Sequence, residues 1–132
     1  MIKQAIHAKS VPEPTKLYSR GIVVSNPKNL IFLSARGNPK GKGIREQTLG
    51  IYKDITELLK EAGASWVNVV RVLFILKDSD NRERDYEEFD KARIDFYSEV
   101  DVKPPYPVST GILARLPGEE FLIELEVTAV IE

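Results

Sequence analysis

Two carboxylates, Glu124 and Glu126, stand two positions apart in the run FLIELEVTAVI at residues 121–131. Side chains of an extended strand alternate between its faces, so the run sorts itself into two sets. Phe121, Ile123, Leu125, Val127, Ala129 and Ile131 point one way; Leu122, Glu124, Glu126, Thr128 and Val130 point the other. A pair of carboxylates thus lies on one face of a strand whose opposite face is a core. A carboxylate held in this way can serve as a general acid or base towards a small molecule; the plainer alternative is a solvated, inert pair. Other chemistry is thin. There is no cysteine, which excludes disulfides, thiolate catalysis and cysteine-ligated metals. The single histidine, His7, cannot build a multi-histidine metal site and reads as a surface or pairing residue. The stretch GNPKGKG at residues 37–43 has no Walker spacing, so it reads as a mobile loop with solvated lysines, not as a phosphate cradle. No metal and no cofactor are expected.

A chain of 132 residues has the size of one domain, and residues 1–132 are expected to form a single one. Nineteen basic and twenty acidic residues leave a formal net charge of -1, which argues against electrostatic capture of nucleic acid or of an anionic membrane. No apolar run approaches the roughly 18 residues of a membrane span, and there is no signal-peptide core at the N-terminus. A soluble cytoplasmic protein is the expectation.

The elements that must position these residues follow from period and punctuation. Residues 2–8 suit a short strand, ended by the proline-bearing loop at residues 10–14. Ile22-Val23-Val24 and Leu30-Ile31-Phe32-Leu33-Ser34 flank the turn Asn26-Pro27-Lys28-Asn29 and read as a hairpin. Residues 44–62 show a helical stripe of Ile51, Ile55, Leu58, Leu59 and Ala62, stopped by Gly63. Residues 67–76 are rich in β-branched and large apolar residues and read as a buried strand. Asp80 with Glu83 three residues on resembles a capping box, and the helix it opens runs to about Tyr97. This helix turns Tyr86, Phe89, Phe96 and Tyr97 inwards and leaves a solvated charged face. Pro104-Pro105-Tyr106-Pro107 excludes regular structure, after which residues 108–113 and the 121–131 run read as a second hairpin about Pro117-Gly118. Six strands and two helices in this order predict an α+β domain of two layers, both helices on one sheet face. The other face mixes carboxylates with apolar neighbours, which association of copies would cover.

Several stretches together resemble the Rid (YjgF-type) family, whose members carry the descriptions enamine/imine deaminase and L-PSP endoribonuclease. The resemblance spans nearly the whole chain. Its marks are Tyr18-Ser19, Phe32-Leu33-Ser34, Glu61-Ala62-Gly63-Ala64-Ser65 and Asn68-Val69-Val70-Arg71-Val72-Leu73-Phe74. Ala114-Arg115-Leu116-Pro117 and the closing Ile123-Glu124-Leu125-Glu126-Val127-Thr128-Ala129-Val130 complete them. The resemblance implies a chorismate-mutase-like fold with a mixed six-stranded sheet, and homotrimers with a small-molecule cleft at each subunit interface.

It also implies a site. In deaminating members an arginine before a Ser-Cys or Ser-Thr pair clamps the substrate carboxylate, a task suited to the guanidinium fork. A glutamate on the last strand helps activate water, and a tyrosine lines the cleft. Carried over residue by residue, these roles fall on Glu124 as the catalytic group, on Tyr18 as the lining tyrosine, and on Ser109-Thr110 as the pair. The arginine position is Val108, which departs from the family pattern. Arg36, after Ser34-Ala35 where the family's cleft backbone donors sit, is the first candidate to replace it, and Arg20 the second. The expected ligand set is therefore Tyr18, Ala35, Arg36, Val108, Ser109 and Thr110. Four functions remain open: a metabolite-binding or transforming trimer without the usual substrate, an imine deaminase clamped by Arg36, an endoribonuclease, and a non-catalytic scaffold. The balanced charge speaks against the endoribonuclease.

Overall fold

Helices form where the apolar period asks for them. In the computed structural model, which describes residues 3–132, α1 spans Gly43–Glu61 and α2 spans Arg82–Glu99. The buried stripe of α1 is Ile44, Thr48, Ile51, Tyr52, Ile55 and Leu59; Leu58 and Ala62 lie off it and are exposed. At about 100° per residue, Leu58 is a quarter-turn away from its buried neighbour Leu59. Gly63 has φ 77 and ends the helix. Its N–H donates to Lys60 O at 3.0 Å and that of Ala64 to Leu59 O at 2.8 Å, the paired bonds of a Schellman stop. The capping box expected at Asp80 and Glu83 does not form. Asn81 is the N-cap and caps with no side chain; its N–H donates to Ser79 Oγ at 3.2 Å, and Ser79 Oγ donates to Asp85 Oδ2 at 2.8 Å. A hydroxyl two residues earlier thus takes the place of the expected cap. A reciprocal box occurs instead about the short 3-10 turn Trp66–Asn68, where Ser65 N–H donates to Asn68 Oδ1 at 2.9 Å.

Six strands form, as the sequence reading expects, but their partners differ. β1 (Lys3–Ala5) pairs only with β2 (Ile22–Val24), as a separate antiparallel ribbon. Ile2, expected to open β1, lies outside the described residues. β3 (Asn29–Gly37), β4 (Val69–Lys77), β5 (Val108–Ala114) and β6 (Ile123–Ile131) make a mixed sheet in the order β3-β6-β4-β5. Both expected hairpins are therefore corrected. β5 pairs in parallel with β4, and β6 pairs antiparallel with β4 and β3. Strand β4 is buried on its helix-facing side and hydrogen-bonded along both edges, so it separates β5 from β6. The α2 crossover is what allows the parallel pair, which no tight turn can make. The first hairpin fails because the chain leaves the ribbon at Asn26, with φ 51, and Lys28 N–H joins Ile131 O at 2.8 Å instead.

Both helices cover one sheet face, giving an α+β fold of two layers. Ile123, Leu125, Val127 and Ala129 of β6 and Val72, Phe74 and Leu76 of β4 meet Ile51, Ile55 and Phe89 in one core. Tyr52 stacks on Phe96 with ring centroids 4.5 Å apart, and Trp66 meets both rings edge-on. The stretch at residues 37–43, expected to be mobile, is tied down by the buried Gln47 of α1. Gln47 Nε2 donates to Gly41 O and Glu120 O, and Gln47 Oε1 accepts from Leu122 N–H at 3.0 Å. One amide thereby locks two loops to a helix.

Charge also lies inside. Arg93 Nη2 donates to Asp90 Oδ1 at 2.6 Å, both side chains at most 9% exposed, and Lys16 Nζ donates to Asp90 Oδ2 at 3.0 Å. Burial alone would push the Asp90 carboxyl up, but the hydrogen bonds from Arg93 and Lys16 outweigh it and hold the group below the ordinary carboxylate range. The associated stability is fully present above the ordinary carboxylate pKa of about 3.9 and is lost as pH falls through the lowered folded value. Asp90→Ala, which leaves Arg93 buried and unpaired, is expected to cost about 3–5 kcal/mol at neutral pH. The variant should also lose less stability than the parent below about pH 4. Denaturant titrations at both pH values check the two outcomes.

Candidate functional site

The face of the sheet turned away from the helices carries the carboxylates. Three rows cross it: Thr128, Arg71 and Val108; Glu126, Leu73 and Thr110; Glu124, Ile75 and Ile112. Each row holds one residue from β6, one from β4 and one from β5. Arg71 Nη1 contacts Glu126 Oε2 at 3.4 Å. Glu124, half-buried, has no hydrogen-bond or ion-pair partner among the described residues. Of the two carboxylates on this face, it is the one that no cation holds. Beside it, the ladder between β3 and β6 shifts register between Leu33 and Arg36, leaving Ser34 and Ala35 in a bulge opposite Glu126. Bulges re-aim backbone groups and recur beside active sites.

Tyr18 sits at the other edge. Ser19 forms a parallel bridge with Val108, its N–H donates to Pro107 O at 3.1 Å, and its hydroxyl donates to Tyr106 O at 2.5 Å. Tyr18 lines a cleft of about 520 Å³ with His7, Lys16, Arg20, Pro105 and Tyr106, a volume suited to a small molecule. The Arg20 guanidinium lies 5.8 Å from the centre of the Tyr18 ring, and its Nε donates to Pro12 O at 2.9 Å. His7 Nδ1 is 2.7 Å from Glu13 Oε1, the pairing role the sequence suggests for it. Among the described residues no group of acidic, histidine or cysteine side chains is arranged to hold a metal.

The expected site residues therefore fall into two groups. Tyr18, Val108 and Thr110 lie at the β5 edge, Glu124 and Ala35 on the β3–β6 side. Val108 and Glu124 are two strands and four residues apart, about 16 Å at ordinary strand spacing and rise. One small molecule cannot reach both within one chain. Ser109 lies opposite Val72 on the helix side, its buried Oγ without a partner, so the Ser-Thr pair straddles the sheet. Arg36 is a further departure. It lies opposite the buried Leu125, and its Nε donates to Asp54 Oδ2 of α1 at 3.1 Å. It faces the helices, where the strand pleat sends any residue at that register. Arg20 does share a cleft with Tyr18; Arg36 does not. Arg71 escaped the sequence reading because residues 67–76 look uniformly buried, although a lone charge inside VVRVLFIL marks an open position.

The fold defines a class of small α+β proteins that other chains share. The Rid-family protein YyfB of Yersinia pestis superposes with a TM-score of 0.78 at 18% identity, covering 99% of this chain and 100% of that one. A YjgF-family protein of Neisseria meningitidis gives a TM-score of 0.66 at 27% identity, over 90% and 91% of the two chains. A RutC family protein of Pyrococcus abyssi is 31% identical over 136 aligned positions, covering 98% of each chain. The family model described as Endoribonuclease L-PSP matches residues 8–131. The chain belongs to this family, the Rid (YjgF, RutC) proteins. No helix among the described residues is long and apolar enough to cross a membrane.

Arg36→Ala removes a pair that is about half exposed, so a stability change within about 1 kcal/mol is expected, with ligand binding unchanged. Thermal denaturation and a binding titration on the same variant check this.

Proposed function

We propose that this protein is a homotrimer that binds or transforms a small metabolite, an imine, enamine or related carbonyl compound, in clefts between its copies. The observation that carries the reading is the separation of the expected site residues between the β5 edge and the β3–β6 side of the sheet. Tyr18, Val108 and Thr110 lie at the β5 edge, and Glu124 and the Ala35 bulge lie on the β3–β6 side, so a second copy set against the first would bring the two groups together. Exposed apolar side chains on the open face support the same association: Phe32 on β3 is 72% exposed and Leu30 54%. Burying such a face is the ordinary drive for assembly, and head-to-tail joining of unlike edges closes into a ring. Within the cleft Glu124 takes a proton from the attacking water and Tyr18 forms a wall. Val108 supplies no charge where deaminating relatives hold the substrate carboxylate, so 2-iminopropanoate is not the preferred ligand. Substitution of the clamp by Arg36 is disfavoured by its bond to Asp54 on the opposite face.

The test is hydrolysis of 2-aminoacrylate generated in situ, beside a family member that carries the arginine. Loss of a hydrogen bond to a charged group is worth about 1.5–3 kcal/mol, so turnover about 10- to 100-fold below the control is expected from a protein that sediments as a trimer. Turnover equal to the control contradicts the assignment of Val108. Turnover no greater than the buffer rate, and unchanged by Glu124→Gln and Tyr18→Phe, points to a non-catalytic scaffold instead.

A further inference from the structure

We infer that Arg71 is the cation that holds the anionic end of the ligand, and that the ligand is a ring-bearing monocarboxylate. This rests on the reading of the open sheet face as one wall of the cleft. Arg71 is the direct register partner of Val108, on the same face of the neighbouring strand. The positive charge absent from β5 is thus present one strand inwards, about 4.8 Å away. Its guanidinium is 41% exposed at the side chain and makes one long contact, 3.4 Å, to Glu126. A fork with five donors holds a carboxylate best through two parallel bonds, so this single contact leaves the fork open to exchange. The other open-face cation on β4, Lys77, is occupied by Glu119 at 3.0 Å at the far end of the strand.

The surroundings select the rest of the ligand. Val108, Leu73, Ile75 and Ile112 make an apolar floor around Arg71 on the open face. Aliphatic side chains on this scale beside a guanidinium offer an apolar ring a surface to pack on, which a three-carbon acid held by Arg71 would leave uncovered. Glu126 touches the guanidinium, so a dianion such as phosphate meets a carboxylate beside the fork and a monoanion fares better. Glu126 acts as a built-in competitor for the fork and sets how tightly a ligand carboxylate binds.

The test compares benzoate with its uncharged isostere benzamide, by calorimetric or NMR titration of the full chain. The parent should bind benzoate at least tenfold more tightly than benzamide. Arg71→Gln should abolish that preference while leaving benzamide affinity unchanged, and Arg71→Lys should keep part of it. Glu126→Gln should tighten benzoate several-fold, a gain that disappears when Arg71→Gln is added. A parent without the preference, or a preference that survives Arg71→Gln, overturns the proposal. Tyr18→Ala separates this from the wider reading. If benzoate binding depends on Arg71 but ignores Tyr18→Ala and dilution to monomers, the inter-subunit cleft fails and Arg71 stands. If Tyr18→Ala weakens benzoate and Arg71→Gln does not, the cleft stands and Arg71 fails.

Discussion

Strand β4 is hydrogen-bonded along both edges, in parallel to β5 and antiparallel to β6, and the remaining architecture depends on that constraint. With β4 between them, β5 and β6 cannot form the hairpin their sequence proximity suggests. The two groups of site residues are thereby sent to opposite sides of the sheet. The same pairing fixes the pleat so that Arg71, Leu73 and Ile75 share the open face with the carboxylates, while Val72, Phe74 and Leu76 enter the core. A slip of one residue would exchange those faces. The buried partners of Val72, Phe74 and Leu76 hold the register against such a slip.

Around this sheet the polar groups with structural duties are distinct from those free to react. Asp90, Arg93 and Gln47 are buried and bonded, tying the Lys16 segment to α2 and two loops to α1. Phenols in the core follow the same division. Burial pushes Tyr52 and Tyr97 well above the ordinary phenol range, so neither exchanges a proton near neutral pH. Glu124 differs from all of these, half-buried and without a partner. That contrast, more than the presence of a carboxylate pair, singles it out.

Much of this could be read from residues alone. The alternation of residues 121–131, the stop at Gly63 and the inward Phe89, Phe96 and Tyr97 were legible because period and punctuation are local signals. Strand pairing was not, since which strands become neighbours is decided by the α2 crossover and by competition for the edges of β4. The placement of Arg36 on the helix-facing side has the same origin. A bulge at Ser34 and Ala35 changes the phase of β3, and no local pattern announces it. Arg71 was visible as an odd charge in an apolar run but acquired meaning only once its partner across the ladder was known to be Val108. Asp90 and Arg93 carry no sequence-level expectation of their own, although their spacing places them on the same side as Phe89 and Tyr97.

The central claim is that one complete site needs two copies of the chain. Since the sequence contains no cysteine, Thr110→Cys with Glu124→Cys gives a protein with only two reactive thiols. Within one chain the two positions lie on different strands, about 12 Å apart at ordinary spacing and rise. A bismaleimide too short for that span should nonetheless link the chains at low protein concentration, giving two- and three-chain species on a denaturing gel. Either single variant alone should give far less. Only monomer from the double variant, under conditions where the parent sediments as an oligomer, would contradict the account.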